Sequence, residues 1–292
     1  MTDNNQIKMS SVLNKRIESE HNMLSLIDFL GGHNDHFPSR KSAKKAIEKG
    51  LVHINRSRAK TNYKLKAGDL LEIFPDEQKK KPELDLKIEV LFEDDHLAII
   101  NKPAGIQVSG NQRNTLENAL SKNLKPSSEE DALPYPEPIH RLDFQTTGIV
   151  LIGKTSSAVR MLNKMFEERK IDKEYTAVCI GEMPETGEIS SPINGKTAFT
   201  SFSVIKSKSS SKYKFLNLVQ VRIETGRRHQ IRKHMFEMGN PIFGDPEYGF
   251  KGLMPKGRGM FLHASGIKFN HPVNGELIRI ECKLPNKFGK LF

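Results

Sequence analysis

Apolar residues first fall into a period at Leu24, Leu26, Ile27 and Leu30, a helical spacing that Gly31-Gly32 is predicted to stop. Residues 1–20 have no such period and are expected to be a polar, frayed tail. Ser39 is placed to cap a second helix through Ala43, Ala46 and Ile47, ending at Gly50. Short extended pieces follow at 51–55, 63–65 and 69–74, with a turn at Ala67-Gly68-Asp69. Residues 21–75 therefore read as a small α/β unit. The charged, proline-bearing stretch 76–84 reads as a linker, and 85–292 as a second, larger domain.

The pattern changes in the larger domain. Residues 88–92 and 97–100 flank Glu93-Asp94-Asp95-His96 and predict a hairpin. The unbroken apolar run Ile149–Ile152 predicts a buried strand. Ser156 or Ser157 is expected to cap a helix with Ala158, Met161, Leu162, Met165 and Phe166 on one face. Further strands are expected at 175–180, 215–224 and 277–284, and a helix over 229–238. The segments 123–138 and 207–214 are expected to be loops. Strands outnumber helices and connections are short, so the expected class is α+β, with a mixed, largely antiparallel sheet.

Charge narrows the partner. The 292 residues carry a net charge of +11, and Arg40 to Lys66 holds ten basic residues against one acidic. A solvated surface usually mixes its signs, so a one-sign face of this density points to a polyanion such as RNA. No apolar run approaches the roughly 18 residues a membrane span needs. Cys179 and Cys282 are expected as buried free thiols, which suits a reducing, cytoplasmic compartment. A monomer is the default expectation.

Two stretches carry candidate chemistry. His140-Arg141-Leu142-Asp143-Phe144-Gln145-Thr146-Thr147-Gly148 places a carboxylate in a loop beside the buried strand. The residues alone leave Asp143 open as a ligand-facing group, a turn residue or one half of a structural ion pair. Thr225-Gly226-Arg227-Arg228-His229-Gln230-Ile231-Arg232-Lys233-His234 crowds cations at a helix start, where the helix dipole disfavours them by about 0.3–1 kcal/mol each. A compensating anion, either an aspartate or phosphates, is implied; a solvated basic face is the plain alternative. A zinc site is not expected, because His229 and His234 at i,i+5 do not share a helical face and no third ligand stands out. A glycosidase would want two facing carboxylates, and that pattern does not stand out either.

With Asn101-Lys102-Pro103-Ala104-Gly105 before them, and Gly239–Asp245 and Leu262-His263-Ala264 after, these stretches resemble the RluA family of pseudouridine synthases over roughly residues 88–285. Residues 39–55 and 65–69 resemble the S-four-type RNA-binding domain, with Asn55-Arg56 standing where Asn-Gly is usual. The resemblance implies that Asp143 is the catalytic aspartate, that Tyr175 lies against the target base and that Arg232 pairs with the carboxylate. It also implies that Arg141 fills the gap left by the extruded uridine. Thr147 stands where serine is usual and keeps the hydroxyl.

RNA contacts are expected from Arg227, Arg228 and His229, and from Arg40, Lys41, Lys44, Lys45 and Arg56 of the N-terminal unit. The reaction implied is uridine isomerisation without metal or nucleotide cofactor. Large-subunit ribosomal RNA is the expected substrate, with tRNA second.

Overall fold

The computed structural model describes residues 13–32, 37, 39–74, 82–250 and 257–292. Residues 1–12 of the expected tail and linker residues 76–81 lie outside the described residues. The chain divides into two compact units, Met1–Lys81 and Pro82–Phe292.

The first unit has strands β1 (Leu13–Arg16), β2 (Val52–Ile54), β3 (Ser57–Arg58) and β4 (Leu70–Ile73), in the order β1-β4-β2-β3. Helices α1 (Leu26–Gly32) and α2 (Arg40–Glu48) cover the sheet, burying Leu26, Phe29, Leu30, Ala43 and Ile47 against Val52, Leu65 and Leu71. Ser39 caps α2, and Ser39 and Ser42 satisfy each other's backbone amides.

One expectation fails here: the supposed tail supplies β1, and Ile17 is buried behind it. Helix α1 begins at Leu26 and ends at Gly32, the second of the two glycines expected to stop it. The turn between β2 and β3 places Asn55 and Arg56 both at positive φ, 50° and 65°. That is the backbone of a two-residue hairpin turn whose twist matches the strands. The Asn55 side chain holds the turn by bonding the Asp69 carboxylate and the Leu70 amide, each at 2.8 Å.

The second unit is α+β. Its strands are β5 (Glu89–Glu93), β6 (Leu97–Lys102), β7 (Ala132–Pro138), β8 (Thr147–Thr155), β9 (Asp172–Ile180), β10 (Thr186–Ile189), β11 (Thr200–Ser210), β12 (Lys214–Ile223), β13 (Leu262–Asn270) and β14 (Leu277–Glu281). Helices are α3 (Leu120–Asn123), α4 (Ser156–Glu167), α5 (Gln230–Glu237) and α6 (Asn286–Gly289).

The main sheet runs β10-β11-β12-β9-β13-β8-β6-β5, with β7 beside β8 and β14 beside β13. Its pairings are antiparallel except β8 with β13, which meet in parallel at Thr147–His263 and Gly148–Ala264. Strand β8 is buried at all nine positions, which is why its middle, Ile149–Ile152, is an unbroken apolar run instead of an alternation. Helix α4 packs Ala158, Val159 and Leu162 inward, and its cap is Thr155, one residue earlier than expected.

The loop expected at 123–138 holds as far as 131 and then gives way to strand, and the one expected at 207–214 is mostly strand. Residues 132–138 form β7, and β11 and β12 reach a tight connection at 211–213. Among the described residues no helix is long and apolar enough to cross a membrane. Cys179 and Cys282 are buried free thiols, and burial pushes both up, to about 12 and about 11.

Candidate active site

Asp143 sits in the loop between β7 and β8, a loop fixed by its own backbone. The amide of Thr146 bonds the Asp143 carbonyl at 3.1 Å, and the Gly105 amide bonds the Phe144 carbonyl at 2.8 Å. Under the loop lies Lys102, fully buried, whose Nζ donates to the carbonyls of Pro103 (2.8 Å), Phe144 (3.3 Å) and Thr146 (2.8 Å). Burial brings Lys102 down to about 8, although the nearby Asp143 charge favours its cation.

Gly148 closes the loop at φ 108°, and a Cβ there would drive into the Ala264 carbonyl where β8 meets β13. Thr147 accepts or donates at 2.7 Å to Nδ1 of buried His263.

Lys102 was part of a recognised motif, but its role is visible only in three dimensions. Lys102→Met leaves the Pro103 and Thr146 carbonyls without this donor, while Phe144 keeps the Gly105 amide, at a cost of about 1–3 kcal/mol. The loosened loop is expected to slow turnover by about tenfold or more through misplacement of Asp143. Thermal unfolding and single-turnover rates check both effects; an unchanged rate would remove Lys102 from the support of the site.

The second half of the site comes from α5. Arg232 is buried and points its guanidinium at three carboxylates. Nη1 donates to Asp143 Oδ2 at 3.0 Å, while Nε and Nη2 clamp Asp245 at 2.6 and 2.8 Å. Nη2 also reaches Glu247 Oε2 at 3.3 Å. Of the cations crowded at this helix start, Arg232 meets compensating carboxylates of this chain. Burial would lower the Arg232 pKa, but the bonds to Asp245 and Asp143 outweigh it and raise it. Burial disfavours the Asp245 carboxylate, yet Arg232 and the amides of Glu247 and Tyr248 hold it below the usual range. Asp245 is as central to the geometry as Arg232, and sequence reasoning gave it no role.

Tyr175, on β9, completes the set. It is buried beside Val221 and Ala264 in the sheet register, and burial together with the Asp143 charge raises its hydroxyl pKa. Asp143, Tyr175 and Arg232 line one cavity of about 140 Å³. A neighbouring cavity of about 400 Å³ shares Arg141, Tyr175 and Arg227 with it and adds Arg169 and Lys173. Arg141 and Arg228 are exposed, whereas the Arg227 Nε is tied to the Thr197 carbonyl at 3.0 Å.

His229 turns inward. Its Nε2 lies 3.7 Å from Asp143 Oδ1, and its Nδ1 faces Glu247 and Tyr248. His234 instead bonds Thr200 and the Ser191 carbonyl, as a buried structural group.

In the N-terminal unit, Arg40, Lys41, Lys44, Lys45 and Arg56 are exposed. Arg40 pairs with Asp28 at 2.8 Å and Lys44 with Glu48 at 3.7 Å. Among the described residues, the grouping with metal-ligand spacing is Glu18, Glu20 and His21, also in that unit.

The sequence pattern of RNA pseudouridylate synthases matches residues 96–237, and that of the S4 domain matches 37–71. An uncharacterized RNA pseudouridine synthase of Aquifex aeolicus (strain VF5) is 33% identical, over 98% of this chain and 98% of its own. A ribosomal large subunit pseudouridine synthase C of Vibrio parahaemolyticus is 34% identical over 84% of each chain. This chain belongs to the RNA pseudouridine synthase family. The structure of human RNA Pseudouridylate Synthase Domain Containing 4 superposes with a TM-score of 0.55 at 23% identity, covering 69% of this chain and 90% of that one, so the two share the fold. The chain is thus an RNA pseudouridine synthase carrying an S4 RNA-binding domain, and RNA is its partner.

Proposed function

We propose that this synthase isomerises particular uridines of large-subunit ribosomal RNA, with Asp143 as its reacting carboxylate and no cofactor. The observation that carries the reading is the 3.0 Å bond from buried Arg232 to Asp143 inside a cavity walled by Tyr175. The reaction breaks N1–C1′, turns the uracil and joins C5 to C1′; C5 loses a proton and N1 gains one. No electron leaves or enters, so the chemistry calls for orientation and charge rather than for a redox partner.

Arg232 holds one carboxylate oxygen and leaves Oδ1 toward the cavity. Tyr175 offers a flat apolar wall for the base. Extruding a uridine costs a few kcal/mol. Arg141, which borders both cavities, is placed to occupy the vacated stack, and exposed Arg228 to meet phosphate.

The S4 unit, with Arg40, Lys41, Lys44, Lys45 and Arg56 exposed, adds a second attachment to the same RNA and so raises affinity without new chemistry. The buried thiols Cys179 and Cys282 suit a cytoplasmic protein, and we take the working form to be a monomer.

The substrate is tested with RNA tritiated at uracil C5. Large-subunit ribosomal RNA is expected to release tritium at a few fixed positions, and tRNA to release none. Release from tRNA alone would overturn the ribosomal assignment. Affinity should also fall steeply with salt, as phosphate contacts require.

A further inference from the structure

The cavity that holds Asp143 is too small for a whole nucleotide. Its volume of about 140 Å³ is the share of roughly five water molecules, room for a flat base but not for ribose and phosphate as well. An extruded uridine stays joined to its strand through two phosphates. Those charged groups must come to rest beside the cavity, and the neighbouring cavity of about 400 Å³ opens there.

That neighbour suits an anion. Arg141, Arg169, Lys173 and Arg227 line it, against Glu167 and Glu224. Arg169 is paired with Glu224 at 3.4 Å. Lys173 is different. It stands on β9 two residues before Tyr175, so the two side chains leave the strand on the same face. Its half-buried ammonium lies over the Phe166 ring at 5.5 Å, and among the described residues no carboxylate pairs with it. Burial and the Arg169 charge lower the Lys173 pKa by more than the Asp172 charge raises it. A long side chain usually carries its charge out to solvent. This one stays half-buried at the cavity wall, where an unpaired charge is costly until an anion meets it.

We propose that the second cavity is a phosphate subsite, in which Lys173, with Arg169 near it, grips one of the two phosphates that flank the extruded uridine. The inference rests on the reading that the uridine enters the Asp143 cavity. A lysine is a compact charge with three rotatable donors, suited to a phosphate whose pose is set by the base next door. The contact holds the strand where it leaves its stack, and so offsets part of the cost of extrusion.

The test uses the full chain and total RNA tritiated at uracil C5, which presupposes no particular target. The kcat/KM for tritium release is followed from low to high salt. Each phosphate contact adds about 0.7–0.9 to the slope of log affinity against log salt. Lys173→Met keeps the apolar stem over Phe166 and removes the charge. It is expected to lower kcat/KM by about tenfold or more at low salt, with a slope shallower by about one contact, so that the gap closes as salt rises. A merely structural lysine would lower the unfolding midpoint and leave the slope alone. Ethylating RNA phosphates then places the contact. One ethylated phosphate next to the modified uridine should block the wild type and make little further difference to Lys173→Met.

An unchanged slope in Lys173→Met, a loss equal at every salt concentration, or interference at distant phosphates alone would overturn the proposal. Should Lys173→Met not fold, Arg169→Asn decides by the same readouts. Arg169 is exposed and stands at φ 56°, a left-handed backbone that asparagine tolerates. The reading of Asp143 fails separately, if Asp143→Asn keeps its turnover. Tritium released from tRNA alone would strike the ribosomal assignment and leave the subsite standing.

Discussion

Asp143→Asn is expected to abolish uridine isomerisation while leaving the protein as stable as the wild type. The fall in turnover should be about 10⁴-fold or more, because enzymes commonly supply at least about 10⁶-fold and the reacting group carries most of it. Stability should hold because Arg232 does not depend on Asp143 alone. Its Nε and Nη2 remain clamped by Asp245, and Glu247 stays within reach, so no buried charge is orphaned. RNA affinity should be unchanged or slightly tighter, since one negative charge is withdrawn from a phosphate-facing site. Tritium release, thermal unfolding and filter binding separate the three. Turnover within about tenfold of wild type would exclude Asp143 as the reacting group, since a spectator rarely does more.

Asp245→Ala should do the reverse, damaging stability first. Asp245 is fully buried, takes two bonds from Arg232, and accepts the amides of Glu247 (2.9 Å) and Tyr248 (3.1 Å). Removing one partner of a buried pair costs about 3–5 kcal/mol. For a domain of this size that lowers the unfolding midpoint by roughly 10 °C. Turnover should drop about 100-fold as Arg232 drifts from Asp143.

The Asp245 pKa is lower in the folded state than in the unfolded chain. Its contribution is therefore complete above the ordinary carboxylate pKa and is lost as pH falls through the folded value. The midpoints of wild type and variant should converge in acid. A gap that persisted unchanged into acid would mean that packing, not charge, holds this corner.

The residues of the site were readable because their chemistry is written in short motifs. Asp143 and Arg232 stand in such motifs, and Tyr175 lies in an apolar strand of clear pattern. What escaped was whatever depended on a distant partner. Asp245 gains its importance from Arg232, 13 residues away, and Lys102 from carbonyls 42 and 44 residues away. The inward ring of His229 depends on a left-handed backbone that no spacing rule signals.

In the fold, Ser39 announced its helix because a cap is local chemistry. Strand β1, Leu-Asn-Lys-Arg, did not announce itself, since four residues with one strong apolar member hold too little pattern. Strand β7 was hidden by Pro134, Pro136 and Pro138, which argue against a strand. It is tolerated because β7 pairs only with β8, through a broken register between Ala132 and Glu137.

Strand β13 lies between β9 and β8, although its residues, 262–270, follow almost everything it joins. A chain emerging from the ribosome can therefore build two half-sheets, β5-β6-β8 and β9-β12-β11-β10, before the strand that unites them exists. Asp143 belongs to the first half, and Tyr175 and Arg232 to the second. The sheet is thus built like an arch, with its keystone synthesised late: until β13 is set in place, Asp143, Tyr175 and Arg232 are present in the chain but are not yet joined by one sheet.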